Sequence, residues 1–310
     1  MPTSLQIFAL RLRRFGKRAM AAVLGWLAIG ALRVVRFANA DTMADLAGWL
    51  MRKLGPWLPE HRVGRANLAA AYPEKSAAEI ERILRGVWDN LGRVGAEFAH
   101  LDRLWDYDSA HPGSGRLEFA PGTHDRFDRL RDDGKPALIF TAHLANWELP
   151  ALAAASHGLE AAILYRRPNI ANIDRRVRDL RTISMGTLIP TGLDAPLKAA
   201  DALKRGLHVA MLADQFAVQG VEVTFFGRRT KANPFLARLA RHVDCPIHGV
   251  RVIRLPERRF RIELTEAIEP VRDPSGQIDV TGTMQAITGV IEGWVREHPE
   301  QWLWLHRRWR

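Results

Sequence analysis

Hydrophobic positions recur at helical spacing in the first part of the chain and predict helices there. Residues 41–54 form one such helix, with Asp41 as its N-cap and a Gly-Pro pair at its end. Ser76 and Glu79 have the spacing of a capping box, which predicts a second helix that runs through Glu97. Nothing in the pattern of these helices demands chemistry, so we expect a structural helical segment.

After residue 115 the pattern changes to short apolar runs that alternate with helical stretches. Short apolar runs bounded by turn residues are typical of buried strands. The predicted strands are residues 138–141, 162–165, 209–213, 221–226, 246–253 and 260–264. The alternation predicts an α/β fold with a mixed, largely parallel central sheet flanked by helices.

The amino-terminal segment is predicted to hold the chain at a membrane. Residues 5–18 combine an apolar face with a basic strip, as in helices that lie on anionic lipid. Residues 19–32 follow as an uncharged, largely apolar stretch that spans only about 21 Å as a helix, whereas a bilayer's hydrocarbon core measures about 30 Å. An interfacial or re-entrant anchor is therefore favoured over a spanning helix.

A secretory signal peptide is the alternative for this segment. Basic residues, the apolar run and the triplet Ala38-Asn39-Ala40 imitate its three regions. Arg33 and Arg36 would fall in the cleavage region, which argues against removal of the segment. The predicted parts are an anchoring helix over 1–40 and a main domain over 41–310, with a helical segment over 41–115 and an α/β core over 116–310.

Composition narrows the class of protein and of partner. With 310 residues, of which 47% are hydrophobic, the chain can bury a full core. A net charge of +11 favours nucleic acid, anionic lipid headgroups or an acidic protein, and does not choose among them. The single Cys245 excludes an intrachain disulfide and a cysteine-based zinc site, and its apolar setting predicts a core thiol.

The predicted strand 138–141 leads directly to His143, and Glu148 follows five positions later. Positions five apart on a regular helix point about 140° apart, so the two side chains meet only if His143 precedes the helix predicted over 144–156. The carboxylate then accepts a hydrogen bond from one imidazole nitrogen and leaves the other as a general base. The alternatives are a helix-start histidine beside a surface glutamate, and a metal site, which lacks an apparent third ligand.

Polar groups also follow the next predicted strands. Arg166 and Arg167 come directly after one strand, and Asp214 and Gln215 come after another. Ligands of such sheets bind at the carboxyl ends of the strands, so we expect these groups to share a site with His143. A solvated turn at Arg166 and a helix or turn cap at Asp214 are the structural alternatives.

Two further segments are strongly basic. The loop over 227–231 either binds phosphate or is a charged turn. Residues 297–310 are dense in Trp and Arg, which suits a surface at the level of lipid headgroups, with stacking on nucleic acid as the competing interpretation.

Six short motifs that run from residue 65 to the last residue occur together in one known family. The matching residues are Arg65-x-Asn67-Leu68 with Tyr72-Pro73-Glu74, His143-x4-Glu148, Tyr165-Arg166 before Pro168, Asp214-Gln215, Phe225-Phe226-Gly227, and Pro299-Glu300-Gln301-Trp302-x-Trp304-x-His306-Arg307-Arg308-Trp309. On these motifs the chain resembles the bacterial lipid A late acyltransferases, the lauroyl/myristoyl transferase family within the lysophospholipid-type acyltransferases. The resemblance covers nearly the whole chain.

The resemblance implies an inner-membrane O-acyltransferase that faces the cytoplasm and takes its acyl chain from acyl carrier protein. It implies transfer to the hydroxyl of a 3-hydroxyacyl chain on a lipid A precursor, with no cofactor, metal or nucleic acid, at a membrane of anionic lipid. His143 is then the general base and Glu148 its orienting partner. The substrate-binding residues that it implies are Arg166, Arg181, Asp214 and Gln215.

The chain departs from the family pattern at two places. Arg167 stands where Tyr-Arg-Pro is usual, and residues 231–235 replace a Thr- and Gly-containing stretch, so acyl-chain length and acceptor position are not predicted. One alternative is a related membrane acyltransferase that uses acyl-CoA or another glycolipid or amino-lipid acceptor. The other is a non-catalytic basic protein of membrane surfaces or nucleic acid, which leaves the polar groups at three strand ends unexplained.

Overall fold

The computed structural model describes residues 33–108, 113–166 and 186–310, together with Trp26, Gly30 and His111. Most of the predicted anchoring segment lies outside the described residues, as do Arg167 and Arg181. In the part of the chain that is described, no helix is long and apolar enough to cross a membrane.

The described elements alternate helices and strands. The helices are α1 (Ala40–Leu54), α2 (Pro59–Ala71), α3 (Ala77–Phe98), α4 (Leu101–Leu104), α5 (Thr123–Asp132), α6 (Leu149–Ser156), α7 (Ala195–Lys204), α8 (Phe235–His242) and α9 (Val280–Glu297). The strands are β1 (Leu117–Phe119), β2 (Leu138–Thr141), β3 (Ala161–Tyr165), β4 (Thr187–Pro190), β5 (His208–Leu212), β6 (Phe216–Phe225), β7 (Arg228–Ala232), β8 (Ile247–Arg254) and β9 (Phe260–Leu264). Short 3-10 helices cover Gly55–Trp57 and Pro299–Gln301.

Seven strands form one sheet in the order β1-β9-β8-β2-β5-β3-β4. Every neighbouring pair in it is parallel except β8 with β9. The predicted fold class, a largely parallel mixed sheet flanked by helices, is therefore confirmed. Because β2 and β5 are parallel neighbours, the residues that follow them meet at one edge of the sheet.

The basic segment over 227–231 is a strand rather than a loop. Arg228–Ala232 pairs with β6 in a two-stranded antiparallel ribbon, and the connecting turn is Phe226 and Gly227. Both turn residues have positive φ, 53° and 69°, as a tight two-residue hairpin turn requires. The turn takes only two residues, so the prediction of a loop is wrong for residues 228–231, whereas phosphate binding by them stays a prediction.

Local capping is confirmed for one predicted helix and corrected for the other. The Ser76 hydroxyl accepts a hydrogen bond from the backbone N–H of Glu79, whose carboxylate bonds back to Ser76, as the capping box predicts. Helix α1 is capped by Asn39 rather than Asp41, because the Asn39 side chain accepts hydrogen bonds from the backbone N–H groups of Asp41 and Thr42.

The aromatic residues at the carboxyl end belong mostly to the core. Trp302 is 3% exposed and Trp304 is fully buried, and their rings pack edge to face at 4.7 Å. The interpretation of this segment as a headgroup-level surface is therefore wrong for these two residues. Trp and Arg density alone cannot separate an interfacial belt from a buried aromatic cluster.

Candidate active site

The segment between β2 and α6 is an irregular loop rather than the start of a helix. The sequence predicts a helix from residue 144, whereas α6 begins at Leu149 and Glu148 is its N-terminal flanking residue. The loop is held by tertiary hydrogen bonds: the N–H of Ala145, whose φ is 44°, donates to the Gln301 carbonyl at 3.0 Å. Leu144 forms a bridge with Trp302. His143 thus precedes the helix, as the spacing argument requires.

His143 is bound to Asp214, which follows β5. Its Nδ1 lies 2.8 Å from Oδ1 of Asp214, and its backbone N–H donates to Oδ2 at 2.9 Å. A buried carboxylate that accepts a hydrogen bond from Nδ1–H fixes the imidazole tautomer and leaves Nε2 with its lone pair. The orienting hydrogen bond that the sequence predicts from Glu148 is thus made at Nδ1 by Asp214.

Asp214 remains ionised although its side chain is almost fully buried. Burial raises the pKa of a carboxyl group, but the charge and hydrogen bonds of His143 and the indole N–H of Trp302 outweigh it and lower the pKa of Asp214 to about 2. Trp302 Nε1 lies 2.7 Å from Oδ2. Both carboxylate oxygens of Asp214 thus accept hydrogen bonds from protein donors, and the substrate-binding role that the resemblance implies for this residue stays a prediction.

The other predicted site residues lie around the imidazole. The Gln215 side-chain amide nitrogen is 3.3 Å from His143 Nε2, the atom that Asp214 leaves accessible. Glu148 is 6% exposed and lines the same cavity as His143, Gln215 and Arg166. The predicted meeting of three strand ends is therefore observed, and Arg181 lies outside the described residues.

A cavity of about 420 Å³ opens from these polar groups into the apolar space between the sheet and α6. Its wall on the sheet includes Ile139, Ile163 and Ala210, which the strand register places beside one another on one face. Both His208 and Leu212 line it, so it extends along β5 for about 13 Å at 3.3 Å per residue. Its volume is in the range of small-molecule sites, and its depth suits an elongated apolar group.

A buried polar network outside the cavity holds the His143 loop. Glu97 on α3 forms a two-pronged ion pair with Arg254 at 2.5 and 3.0 Å, and the Asn146 amide donates to the same carboxylate at 2.9 Å. Asn90 donates to the Ala145 carbonyl at 3.1 Å. Asn90 and Glu97 lie on α3, the helix for which the sequence predicts a purely structural role. The sequence could have indicated this network, because Asn90 and Glu97 are polar residues seven positions apart on the buried face of an amphipathic helix.

The carboxyl-terminal segment contacts both His143 and Asp214. The N–H of Leu303 donates to the His143 carbonyl at 3.1 Å, next to the Trp302 contact with Asp214. His306 lies close enough to His143 that positive charge there lowers the pKa of His306, after a larger lowering by desolvation. The sequence did not predict these contacts, since they join residues far apart in the chain.

Backbone donors near His143 are already used. The N–H groups of His143, Leu144 and Ala145 bond to Asp214, Ala142 and Gln301, respectively. Two side chains that can donate hydrogen bonds, Gln215 and Arg166, line the cavity beside His143. Across the described ranges, no group of three or more His, Cys, Asp and Glu side chains is arranged to hold a metal ion.

Comparison with known proteins identifies the family of the chain. A family model described as bacterial lipid A biosynthesis acyltransferase matches residues 14–310, which is essentially the whole chain. A search among curated proteins finds no match. Because the family model spans far more than half of the sequence, the chain belongs to the bacterial lipid A biosynthesis acyltransferase family.

Proposed function

We propose that the protein transfers a fatty acyl chain from an acyl carrier protein thioester to the hydroxyl of a 3-hydroxyacyl chain on a lipid A precursor. The observation that carries the proposal is the imidazole of His143, held by buried Asp214 at the mouth of a deep apolar cavity. The family supports acyl transfer to a lipid A precursor as the general activity.

The geometry supports a direct transfer with His143 as general base. Nε2 of His143 takes the proton of the acceptor hydroxyl while its oxygen attacks the thioester carbon. The tetrahedral intermediate then expels the thiolate as the C–S bond breaks, and the imidazolium returns the proton to sulfur. The Gln215 amide and the Arg166 guanidinium supply donors to the oxyanion. Cys245 is buried and its pKa is raised to about 11 by burial, so it offers no thiolate for a covalent route.

The cavity is proposed to hold the acyl chain. Its wall is largely apolar, with His208 at the far end, and His143, Glu148, Arg166 and Gln215 gather at the end where the thioester carbon would lie. This arrangement places the cleaved bond beside His143 and the hydrocarbon against Ile139 and Ile163. The basic surface, with a net charge of +11, suits both an acidic carrier protein and a phosphorylated acceptor at the cytoplasmic face of the inner membrane.

Glu148 remains the proposed second member of the catalytic pair. Its buried carboxyl group at the start of α6 lines the cavity, and we propose that it sets the charge around His143 rather than the tautomer, which Asp214 controls. If that division holds, Glu148→Ala loses less activity than Asp214→Asn. An Asp214→Asn variant should lose about 10²- to 10⁴-fold in kcat because the amide favours the wrong tautomer.

The central test is His143→Ala, assayed with a radiolabelled acyl carrier protein thioester and a tetra- or penta-acylated lipid A precursor. Transfer is expected to fall by about 10²- to 10⁴-fold with folding intact. The matched control is His242→Ala, an exposed histidine at the end of α8. Full activity of the His143 variant would overturn the assignment of the base.

The acceptor and donor need their own measurement. Lipid A from a host that lacks its own late acyltransferases and expresses this chain should gain the mass of one acyl chain, measured by mass spectrometry. Parallel assays with acyl-CoA in place of the carrier protein thioester identify the donor. An unchanged lipid A, with activity on another glycolipid or an amino-lipid, would favour the related acyltransferase instead.

A further inference from the structure

Helix α1 is apolar on two opposite faces. Its inner face packs on α3 through small residues, Ala44 and Gly48, both buried. The approach is close: a Cβ added to Gly92 of α3 would lie 2.3 Å from the Ala47 carbonyl oxygen. The inner face provides the packing that holds α1 to the protein. The outer face is therefore available to bind a partner.

The outer face carries a largely apolar stripe, which we call the α1 stripe. Its members recur at helical spacing along α1 and the following 3-10 helix. The stripe consists of Leu46, Trp49, Leu50, Leu54 and Trp57, which are 51%, 50%, 42%, 39% and 82% exposed. The solvent side of an ordinary surface helix is polar, so this stripe is an interaction surface.

The charges around the α1 stripe favour an anionic partner. Lys53 lies within the stripe and Arg62 follows it on α2; both are exposed, and neither forms an ion pair with the residues that the structure describes. The carboxylates of α1 are neutralised, because Asp41 pairs with Arg116 and Asp45 pairs with Arg93 and Arg258. Glu60 is an exposed carboxylate nearby, and its negative charge offsets part of the positive charge of Lys53 and Arg62.

The stripe leads towards the carboxyl-terminal segment that contacts His143. Helix α2 begins directly after it, and Glu60 in its first turn is close enough to His306 for the carboxylate charge to raise that residue's pKa, against the larger effect of desolvation. Further along α2, the Asn67 amide donates to the carbonyls of Trp304 and His306 at 2.7 and 2.6 Å. The end of the stripe at Trp57 is thereby tied to the segment that borders His143.

We propose that the α1 stripe inserts into the headgroup region of an anionic bilayer as a membrane contact separate from residues 1–32. Trp rings with Leu side chains form the apolar part, and Lys53 and Arg62 meet the phosphates of the lipid. If the proposed function holds, this contact also brings the candidate active site to the membrane that contains the lipid acceptor.

The test uses the full chain with an introduced thiol that carries a polarity-sensitive fluorophore. Leu50→Cys reports on the stripe, and Val271→Cys, at an exposed apolar residue outside it, is the matched control; Cys245 is buried. The probes are vesicles of phosphatidylethanolamine with and without phosphatidylglycerol, some with brominated chains as quenchers. We expect a shift to shorter wavelength and quenching by brominated lipid at position 50 only, stronger with phosphatidylglycerol.

Three outcomes would overturn the proposal. The first is an unchanged emission at position 50 in vesicle-bound protein, or no binding to either vesicle. The second is a shift that grows with protein concentration without lipid, which would mean that a second copy covers the stripe. The third is a short-wavelength emission at every concentration without lipid, which would mean that other residues of the chain cover it.

A double substitution separates this contact from the chemistry. Trp49→Glu with Trp57→Glu should weaken vesicle binding by about tenfold or more, while transfer to a detergent-dispersed acceptor stays at the level of the unmodified protein. Vesicle binding unaffected by this pair would count against the stripe alone. If the unmodified protein itself shows no acyl transfer to the detergent-dispersed acceptor, the result counts against the proposed function alone.

Discussion

The indole N–H of Trp302 donates to Oδ2 of Asp214 at 2.7 Å, while Oδ1 of the same carboxylate lies 2.8 Å from Nδ1 of His143. Trp302 thereby stabilises the charge on the group that orients the imidazole. The carboxyl-terminal segment is thus part of the candidate site although its residues do not contact the apolar cavity.

Replacement of Trp302 by Phe tests this relay. Without the indole donor the Asp214 carboxylate is less stabilised and attracts the imidazolium more strongly, so we expect the acidic limb of kcat/KM against pH to move to higher pH. We also expect kcat to fall by about tenfold, as one charge-assisted hydrogen bond is lost. Rate profiles over a pH series measure both.

Trp304→Phe is the matched control for that experiment. Trp304 lies in the same buried cluster and donates its indole N–H to the Pro299 carbonyl at 2.7 Å, away from Asp214. It should lower stability without moving the pH profile. Equal shifts of the profile in both variants would show that loose packing, and not the bond to Asp214, is responsible.

Asp214 should also make the free energy of unfolding depend on pH in the acidic range. Its pKa of about 2 in the folded protein lies below the ordinary value of 3.8, so the unfolded chain takes up this proton first. The resulting stabilisation is complete above the ordinary value and is lost as the pH falls towards 2. The difference of nearly two units corresponds to about 2 kcal/mol.

Urea unfolding of the protein and of Asp214→Asn, from about pH 5 downwards, measures this contribution. The asparagine does not titrate, so the gap in the free energy of unfolding between the two proteins should shrink by about 2 kcal/mol with acidification. A gap that stays constant over this range would contradict a depressed pKa at Asp214.

The sequence placed the candidate site better than it assigned its contacts. The buried strand before His143 predicted a residue at a strand end, and the end of β5 predicted Asp214 at the same edge. Which carboxylate bonds to Nδ1 could not be predicted, because Asp214 is 71 positions from His143 and its proximity depends on β2 and β5 being neighbours. Glu148 was favoured by its spacing from His143 and by the resemblance to the family.

The helix after β2 shows why local propensity misplaced an element boundary. Leu144 and Ala145 suit a helix by composition, yet contacts with Trp302 and Gln301 draw them into the loop that carries His143. The strands β1 and β4 were missed because they are the two edge strands of the sheet and each has a single buried residue, so neither shows the continuous apolar run of a core strand.

The shape of the apolar cavity yields a prediction on chain length. Ala154 on α6 lines the cavity, and a phenyl ring there would occupy part of it. Ala154→Phe should therefore reduce transfer of longer acyl chains more than transfer of shorter ones. Competition assays with thioesters of two lengths, read by mass spectrometry, measure the ratio, and a uniform loss for both lengths would argue against acyl binding in this cavity.

The ion pair between Glu97 and Arg254 should be the most costly polar contact to break. Both side chains are largely buried, and Asn90 and Asn146 complete their hydrogen bonds, so removal of one partner leaves an uncompensated charge. Glu97→Ala should lower the free energy of unfolding by about 3–5 kcal/mol. The exposed pair of Arg205 with Asp201 is the control, since Arg205→Ala should change stability little.

The same substitution should affect chemistry through the loop that it supports. Asn146 binds Glu97 and also accepts the N–H of Glu148, so loss of the carboxylate frees the segment between His143 and α6. Glu97→Gln keeps the shape and one acceptor and should retain more activity than Glu97→Ala at a temperature where both are folded. If both variants lose stability to the same extent and both keep full activity, the network supports the fold without positioning His143.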